Sequence, residues 1–508
     1  MEDAILRASG GHHPRDIAFA TEEEDSKPWQ RASPAPARIP GPLPEFLTLV
    51  LANQIFIAKT DLPLSLANRL IRLAAFQNPE FYKAQAMRLP VWNKPRIIGC
   101  AENYSQHISL PRGCLDAVLD LLQDNDIRAE LQDKRLPGRK VIARFTGALR
   151  KDQKTALREL LKHEVGVLCA PTAFGKTVTA AALIARRKVS TLVLVHRTDL
   201  LRQWQERLTG FLDIPKDGLG VIGGGKKKPS GKIDIAVMQS LTRREDLGEF
   251  LEHYGQIIVD ECHHLSAFSF EAILKRAKAR YVVGLTATPI RRDGHQPIIF
   301  MQCGPIRHSA VRPENAPAQL EVWPKVLPAP EVPPDSPIQA VFRILANDTD
   351  RTRQIAGDAL AAYREGRKVL VLTERTDHLA MLQGALGDEV EHCFILHGRL
   401  SKKQRSAAFA ELNALDDASL RVLLATGRLI GEGFDHPPLD TLVLAMPISW
   451  RGTLQQYAGR LHREHSDKQD VRIYDYAEAD QPQLARMWDK RQRGYRAMGY
   501  QIKPMVSV

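Results

Sequence analysis

The sequence predicts an α/β protein: two parallel-sheet domains in tandem, preceded by a smaller α+β block. Three observations carry this. Short, near-continuous β-branched runs alternate with helical patterns through the middle and end of the chain. Proline-dense stretches punctuate it at 28–44 and 313–337. The length of 508 residues accommodates about three domains at the usual 100–200 residues each. With 44% hydrophobic and 26% charged residues, disordered, collagen-like and disulfide-stapled chains are excluded.

Taken in order, residues 1–44 read as a flexible leader, because six prolines in 28–44 leave no room for a helix or central strand. Residues 45–140 form the accessory block. In it Leu66, Leu70, Leu73 and Ala74 share one helical face, and Leu115, Val118, Leu119 and Leu122 another. Residues 141–312 alternate strand and helix: 165–169, 191–195, 233–237, 257–259 and 281–285 are the apolar runs. Residues 313–337, with eight prolines, read as a linker. Residues 338–508 repeat the rhythm with runs at 369–372, 393–396, 421–424 and 441–444. Such runs are strands of parallel sheets covered on both faces. Two such domains in tandem place a cleft between them, and ligands favour the carboxyl ends of their strands.

The longest uncharged stretch, Phe46 to Ala58, is 13 residues, whereas a bilayer-spanning helix takes about 20 apolar residues. The acidic start, Met1-Glu2-Asp3, lacks the charge of a signal peptide. Six scattered cysteines with no C-x-x-C pair read as reduced thiols. The expectation is a cytoplasmic protein with no membrane association. The formal charge of +12, from 71 Lys plus Arg and 59 Asp plus Glu, fits polyanion partners or solubility equally.

The run 165–169 leads into Ala170-Pro-Thr-Ala-Phe-Gly-Lys-Thr177 and then an alanine-rich helical stretch. Strand, tight loop and helix in that order aim backbone N–H groups at phosphates. Lys176 is then placed for β- and γ-phosphates and the Thr177 hydroxyl for Mg²⁺. Ala170 stands where the strict pattern has glycine; a left-handed backbone there would cost alanine about 1–2 kcal/mol. The run 257–259 ends in Asp260-Glu261-Cys262-His263-His264. Asp260 suits the Mg²⁺ shell and Glu261 the orientation and deprotonation of water. A solvated turn is the alternative for such a tetrad alone, and adjacent His and Cys lack zinc spacing.

In order along 141–500, these motifs resemble superfamily 2 helicases. Leu149 to Gln153 is similar to the adenine-reading segment, which implies base recognition by Gln153. Ala170 to Thr177 is similar to the family's A-x-x-G-x-G-K-T loop, from which only Ala173 departs, so Pro171, Thr172, Ala173, Phe174, Gly175, Lys176 and Thr177 are implied nucleotide contacts. Asp260 to His263 resembles a DExH box, and Thr286-Ala-Thr288-Pro289 the segment coupling hydrolysis to strand contacts. Ala425-Thr426 through Asp435 resembles motif V, implying Gly433 and Asp435 at the nucleotide. Gln456 to Arg463 matches Q-x-x-G-R-x-x-R, implying Gln456 at the nucleotide and Arg460 and Arg463 as arginine fingers. The resemblance implies two RecA-like domains using ATP and Mg²⁺. Thr286 to Gly294 is most similar to the XPB and type III restriction group, with Arg291-Arg292-Asp293 in place of an Arg-Glu-Asp triplet. Asn68 to Tyr82 and Leu110 to Cys114 resemble the helicase part of primase-linked, TOTE-type conflict proteins, which implies a separately encoded primase or nuclease partner.

Polynucleotide contacts are expected at strand ends: His196 and Arg197, Gln239 and Ser240, Thr373 and Arg375, with Thr286, Thr288 and Thr426 by the resemblance. Gly223 to Pro229 reads as a solvated flexible loop rather than a clamp. In 483–508, Trp488, Tyr495 and Tyr500 among Arg486, Lys490 and Arg493 either stack bases or dock on the core. The expected activity is ATP-dependent movement along or unwinding of DNA, single-stranded or duplex, with RNA as the other substrate. The alternatives are the motor subunit of a restriction or defence complex, and an ATP-gated binding or annealing module.

Overall fold

The computed structural model describes residues 38–507 apart from 61, 172–173, 216, 263–266, 288–293, 311–318, 329–335, 428–435, 449–450, 463–467, 469 and 479. The leader 1–37, Thr172, Ala173, His263, His264, Thr288, Arg291 to Asp293, Gly433, Asp435, Arg463 and the Gln456 side chain therefore lie outside the described residues. The chain divides into two compact units, Met1–Ala170 with Gly175–Val311, and Arg312–Val508 with Pro171–Phe174.

The accessory block is a five-stranded sheet in the order Glu102–Asn103, His107–Leu110, Ile55–Ala58, Phe46–Leu51, Arg128–Asp133. Alternation in Phe46–Leu51 turns Leu47, Leu49 and Leu51 inward. Helices Leu64–Leu73 and Leu115–Asp124 bury Leu66 and Leu70, and Val118, Leu121 and Leu122. This core is continuous with that of the first large sheet: Leu49, Leu66 and Val118 belong to one cluster with Val167, Leu192 and Val259. Arg112 fastens the two, its Nη1 donating to Ala279 O at 2.8 Å and its Nη2 to Asn53 O at 3.0 Å and to Ala277 O. Beside it, a Cβ on Gly113 would come within 2.0 Å of Phe300 O, so the backbones meet without room for a side chain.

The first large sheet runs Lys226–Lys228, Leu219–Gly223, Ile233–Val237, Thr191–Val195, Gln256–Val259, Tyr281–Thr286, Val165–Cys169, Ile306–Ser309. All but the first strand are parallel. The central strands are buried throughout, which is why they read as unbroken apolar runs. The 223–229 segment departs from the expected flexible loop: Gly224 and Gly225, at φ 58 and 85, turn Lys226–Lys228 back into an antiparallel hairpin.

In the second unit the sheet order is Cys393–Leu396, Val422–Thr426, Val369–Thr373, Thr441–Leu444, Asp470–Ala477, Gln319–Val326, Gln501–Ile502, all parallel, with Val506–Ser507 also beside Gln319–Val326. Gln319–Val326 corrects the linker expectation. Its prolines obscured an alternation that buries Leu320, Val322 and Pro324 in register with Asp470–Ala477. The terminal aromatics are also decided: Trp488, Tyr495 and Tyr500 are buried. Helix Pro482–Ala497 is held by Arg491 Nε and Tyr495 OH, each donating to Asp475 Oδ2 at 2.8 Å.

All six cysteines are unpaired thiols. Among the described residues no helix is long and apolar enough to cross a membrane, and no group of three or more His, Cys, Asp or Glu is gathered for a metal.

Candidate nucleotide site

The strand Val165–Cys169 runs beside Tyr281–Thr286, with Cys169 opposite Thr286. Ala170 N donates to Thr286 O at 2.9 Å, so the loop leaves the sheet as an extension of the ladder. Ala170 is not among the described residues with positive φ, and alanine there carries no left-handed strain. Gly175 does need its freedom: it caps helix Lys176–Arg187 at φ 85, ψ 42. A Cβ at Gly175 would also come within 2.5 Å of Gln153 Nε2. Gln153 is itself buried in the first turn of helix Lys151–Leu161, where its Oε1 accepts from Arg150 N at 3.0 Å. Pro171 and Thr177 are half-buried and Phe174 is buried.

Two strands away, the acidic pair is built by backbone register. Asp260 N donates to Leu194 O at 3.0 Å on one neighbouring strand, and Cys262 N to Leu285 O at 3.0 Å on the other. Between these anchors Glu261 turns the chain at φ 45, left-handed for a residue with a Cβ, a conformation costing about 1–2 kcal/mol. Its N–H donates to Asp260 Oδ1 at 3.0 Å. The fold thereby brings Glu261 Oε1 within 3.5 Å of Lys176 Nζ, which also donates to Ala170 O at 3.2 Å.

Asp260 Oδ2 accepts from the indole Nε1 of Trp204 at 2.6 Å. Burial, reinforced by the charge of Glu261, pushes the Asp260 carboxyl up to about 6, against the pull of Trp204 and Lys176. At this strand end the two carboxylates are oxygen ligands suited to a hard divalent cation, and the lysine beside them is suited to phosphate oxygens. Trp204 escaped the sequence reading. Its only trace there is the spacing of Leu200, Trp204 and Leu208 on one face of helix Thr198–Phe211.

The expected strand contacts fare differently. Val195 pairs with Val237, so His196 and Arg197, both half-buried, and Gln239 and Ser240 share one edge of the sheet. Gln239 and Ser240 lie in a short helix, Met238–Leu241, rather than a loop. Thr286 is fully buried and presents no hydroxyl to the surface. In the second unit, Thr373 and Thr426 are register partners at adjacent strand ends. Both are buried. The Thr373 hydroxyl lies 3.1 Å from His378 Nδ1 and accepts from Arg375 N at 3.3 Å, which engages it in the turn. Arg375 is half-buried, 3.7 Å from Asp377. Arg460, half-buried, lies in the last turn of helix Arg451–Leu461, which also carries Gln456.

Residues 146–291 match the family model of the type III restriction enzyme res subunit, and 352–465 that of the helicase conserved C-terminal domain. A DNA 3'-5' translocase XPB2 of Sulfurisphaera tokodaii is 36% identical over 158 residues, 31% of this chain and 35% of that protein. A DNA 3'-5' helicase XPB of Kineococcus radiotolerans is 26% identical, covering 66% of this chain and 60% of its own length. The chain thus spans about a third of the first relative and three fifths of the second. Among solved structures, a fragment of a putative HsdR subunit of a type I restriction enzyme from Vibrio vulnificus shares the fold at TM-score 0.52 and 20% identity, covering 72% of this chain and 70% of that one. Yeast (S. cerevisiae) Dbp5 shares it at TM-score 0.50 and 14% identity, covering 70% and 89%. Matched in order on the two large sheets, the two family models show that the chain carries a type III restriction res-subunit domain and a helicase conserved C-terminal domain, and it resembles the XPB and restriction-subunit group of the superfamily 2 helicases.

Proposed function

We propose that the chain couples ATP hydrolysis to movement along, or unwinding of, nucleic acid, with DNA as the first substrate and RNA the second. The observation that supports this best is the convergence of Lys176, Glu261 and Asp260 at strand ends of one sheet. Lys176 rests on a carbonyl of its own loop, a weak partner that a β- or γ-phosphate oxygen displaces. Bound Mg²⁺ would neutralise phosphate charge, with Asp260 and Thr177 as its protein-side partners. Glu261, freed from Lys176 when the lysine turns to phosphate, orients and deprotonates the attacking water. Gly175, Pro171, Thr172, Ala173 and Phe174 shape the cradle, and Gln153 reads the base. Arg460 and Arg463 supply cations for charge developing on the γ-phosphate, while Gln456, Gly433 and Asp435 complete the nucleotide contacts. His196, Arg197, Gln239, Ser240 and Arg375 are proposed phosphate contacts of a bound strand.

Lys176→Ala and Glu261→Gln are each expected to abolish nucleic-acid-stimulated ATP turnover. Unchanged turnover in either pure variant sinks the assignment. Strand-displacement and triplex-displacement assays with DNA and RNA separate unwinding from duplex translocation. A restriction or defence motor is the second reading, favoured by the res-subunit match. It carries with it the proposed primase or nuclease partner, tested by co-purification, and a cytoplasmic location.

A further inference from the structure

We propose that a small lobe of the accessory block, residues 78–97, is a second nucleic-acid contact, in which an exposed indole stacks on a base while neighbouring cations hold phosphates. The proposal rests on the nucleic-acid reading above but concerns a surface outside the nucleotide site.

The lobe is a closed excursion on a stiff neck. Strands Ala75–Gln77 and Ile97–Gly99 pair antiparallel, with Gln77 opposite Ile97. Asn78 then ties the ends together: its N–H donates to Arg96 O at 2.9 Å, and its Nδ2 to Pro95 O at 2.8 Å. Its Oδ1 accepts from Glu80 N at 3.1 Å and caps helix Pro79–Ala86. At the far end Arg88, left-handed at φ 54, ends the helix, and Leu89 N closes onto Ala84 O at 2.8 Å. This turn leads into a segment that buries little. Trp92 is 86% exposed, Ile97 61% and Leu89 53%. Three large apolar side chains so exposed within nine residues of a tied loop mark a binding surface rather than scattered surface apolarity.

Charge identifies the occupant. Residues 64–99 carry Arg69, Arg72, Lys83, Arg88, Lys94 and Arg96 against one carboxylate, Glu80. Lys83, Arg88 and Arg96 are exposed, and the Arg96 guanidinium is steadied 5.4 Å over the Phe81 ring. A second copy of so cationic a lobe is repelled, and a polyanion is attracted. An indole among cations fits nucleic acid in particular, because every base offers a π-face. Position agrees. A Cβ on Gly294 would come within 2.6 Å of Pro79 Cγ, and the Phe76 ring lies 6.0 Å from that of His295. The neck therefore packs against Gly294 and His295, within the same compact unit as Lys176 and Glu261.

The test uses the full chain without nucleotide and a labelled oligo(dT) strand, read by anisotropy across a salt series. Trp92→Ala is expected to weaken binding about 10- to 100-fold. The triple variant Lys83→Gln, Arg88→Gln, Arg96→Gln is expected to lower the salt slope by about 2, at roughly 0.7 for each lost phosphate contact on a single strand. Melting curves matching the parent show that the variants are folded, and strand-stimulated turnover is expected to show a raised KM for the strand with kcat retained. Parental affinity and slope in both variants overturn the proposal, as does a parent chain that binds no strand. Loss of a dimer in sedimentation with strand affinity intact overturns it too, making the patch a self-association surface. If the lobe variants weaken binding while Lys176→Ala retains full turnover, the surface stands and the motor reading fails.

Discussion

Replacing Arg112 with Met keeps most of the side-chain bulk but removes every donor from a buried junction. The guanidinium is 5% exposed and is pushed down to about 10 by burial, with Arg135 adding to the effect. It satisfies the carbonyls of Ala277 and Ala279 just past helix Ala267–Leu274 and of Asn53 in the accessory block. Without it the carbonyls of Ala277 and Ala279 stay buried with no donor, at about 1–3 kcal/mol each, or roughly 4 kcal/mol together. For a unit of this size each kcal/mol moves Tm by about 1.5–2 °C. Arg112→Met is therefore expected to lower the first unit's transition by roughly 6–8 °C in calorimetry, with Arg112→Lys in between. Because accessory block and first large sheet share one core, both are expected to melt together, and limited proteolysis should cut both earlier. A transition within about 2 °C of the parent, or a block that unfolds alone, would refute the reasoning.

Gly175→Ala forces a Cβ into φ 85 and within 2.5 Å of Gln153 Nε2. The left-handed penalty of about 1–2 kcal/mol and displacement of the Gln153 amide should weaken nucleotide about tenfold or more, as measured by titration; parental affinity would contradict it. His378 is fully buried, its Nε2 3.3 Å from Thr352 Oγ1 and its Nδ1 beside Thr373, and burial, with Arg351 and Arg375, pushes it down to about 4. The unfolded chain takes up a proton near 6.5 that the folded chain refuses until about pH 4. The second unit should thus keep full stability above pH 6.5 and lose about 3 kcal/mol as pH falls to 4. Urea melts of His378→Gln should flatten this slope, and an unchanged slope would show that other groups carry it.

The elements visible in the sequence are those whose signals are local. Thr191–Val195 and Ile233–Val237 are buried on both faces, so each reads as a strand without knowledge of its partner. Gly-Lys-Thr at 175–177 follows a strand and opens a helix, and that order carries its own geometry. Where two local signals compete, the sequence misleads. Prolines at 317, 324 and 328 outweigh the alternation of Gln319–Val326, and the glycines and lysines of 223–229 conceal a hairpin.

What the chain determines by itself is the class of fold, the order of its motifs and the two ends of the proposed nucleotide chemistry, Lys176 and Glu261, 85 positions apart. Only tertiary structure decides that they meet, since strand order places Gln256–Val259 two strands from Val165–Cys169. It also decides that Trp204 grips Asp260 and that Arg112 caps a segment more than 160 residues further on. The physical reason is the same in each case. A buried hydrogen bond between distant segments depends on which surfaces the sheet brings together, and no periodicity within a short window records that choice.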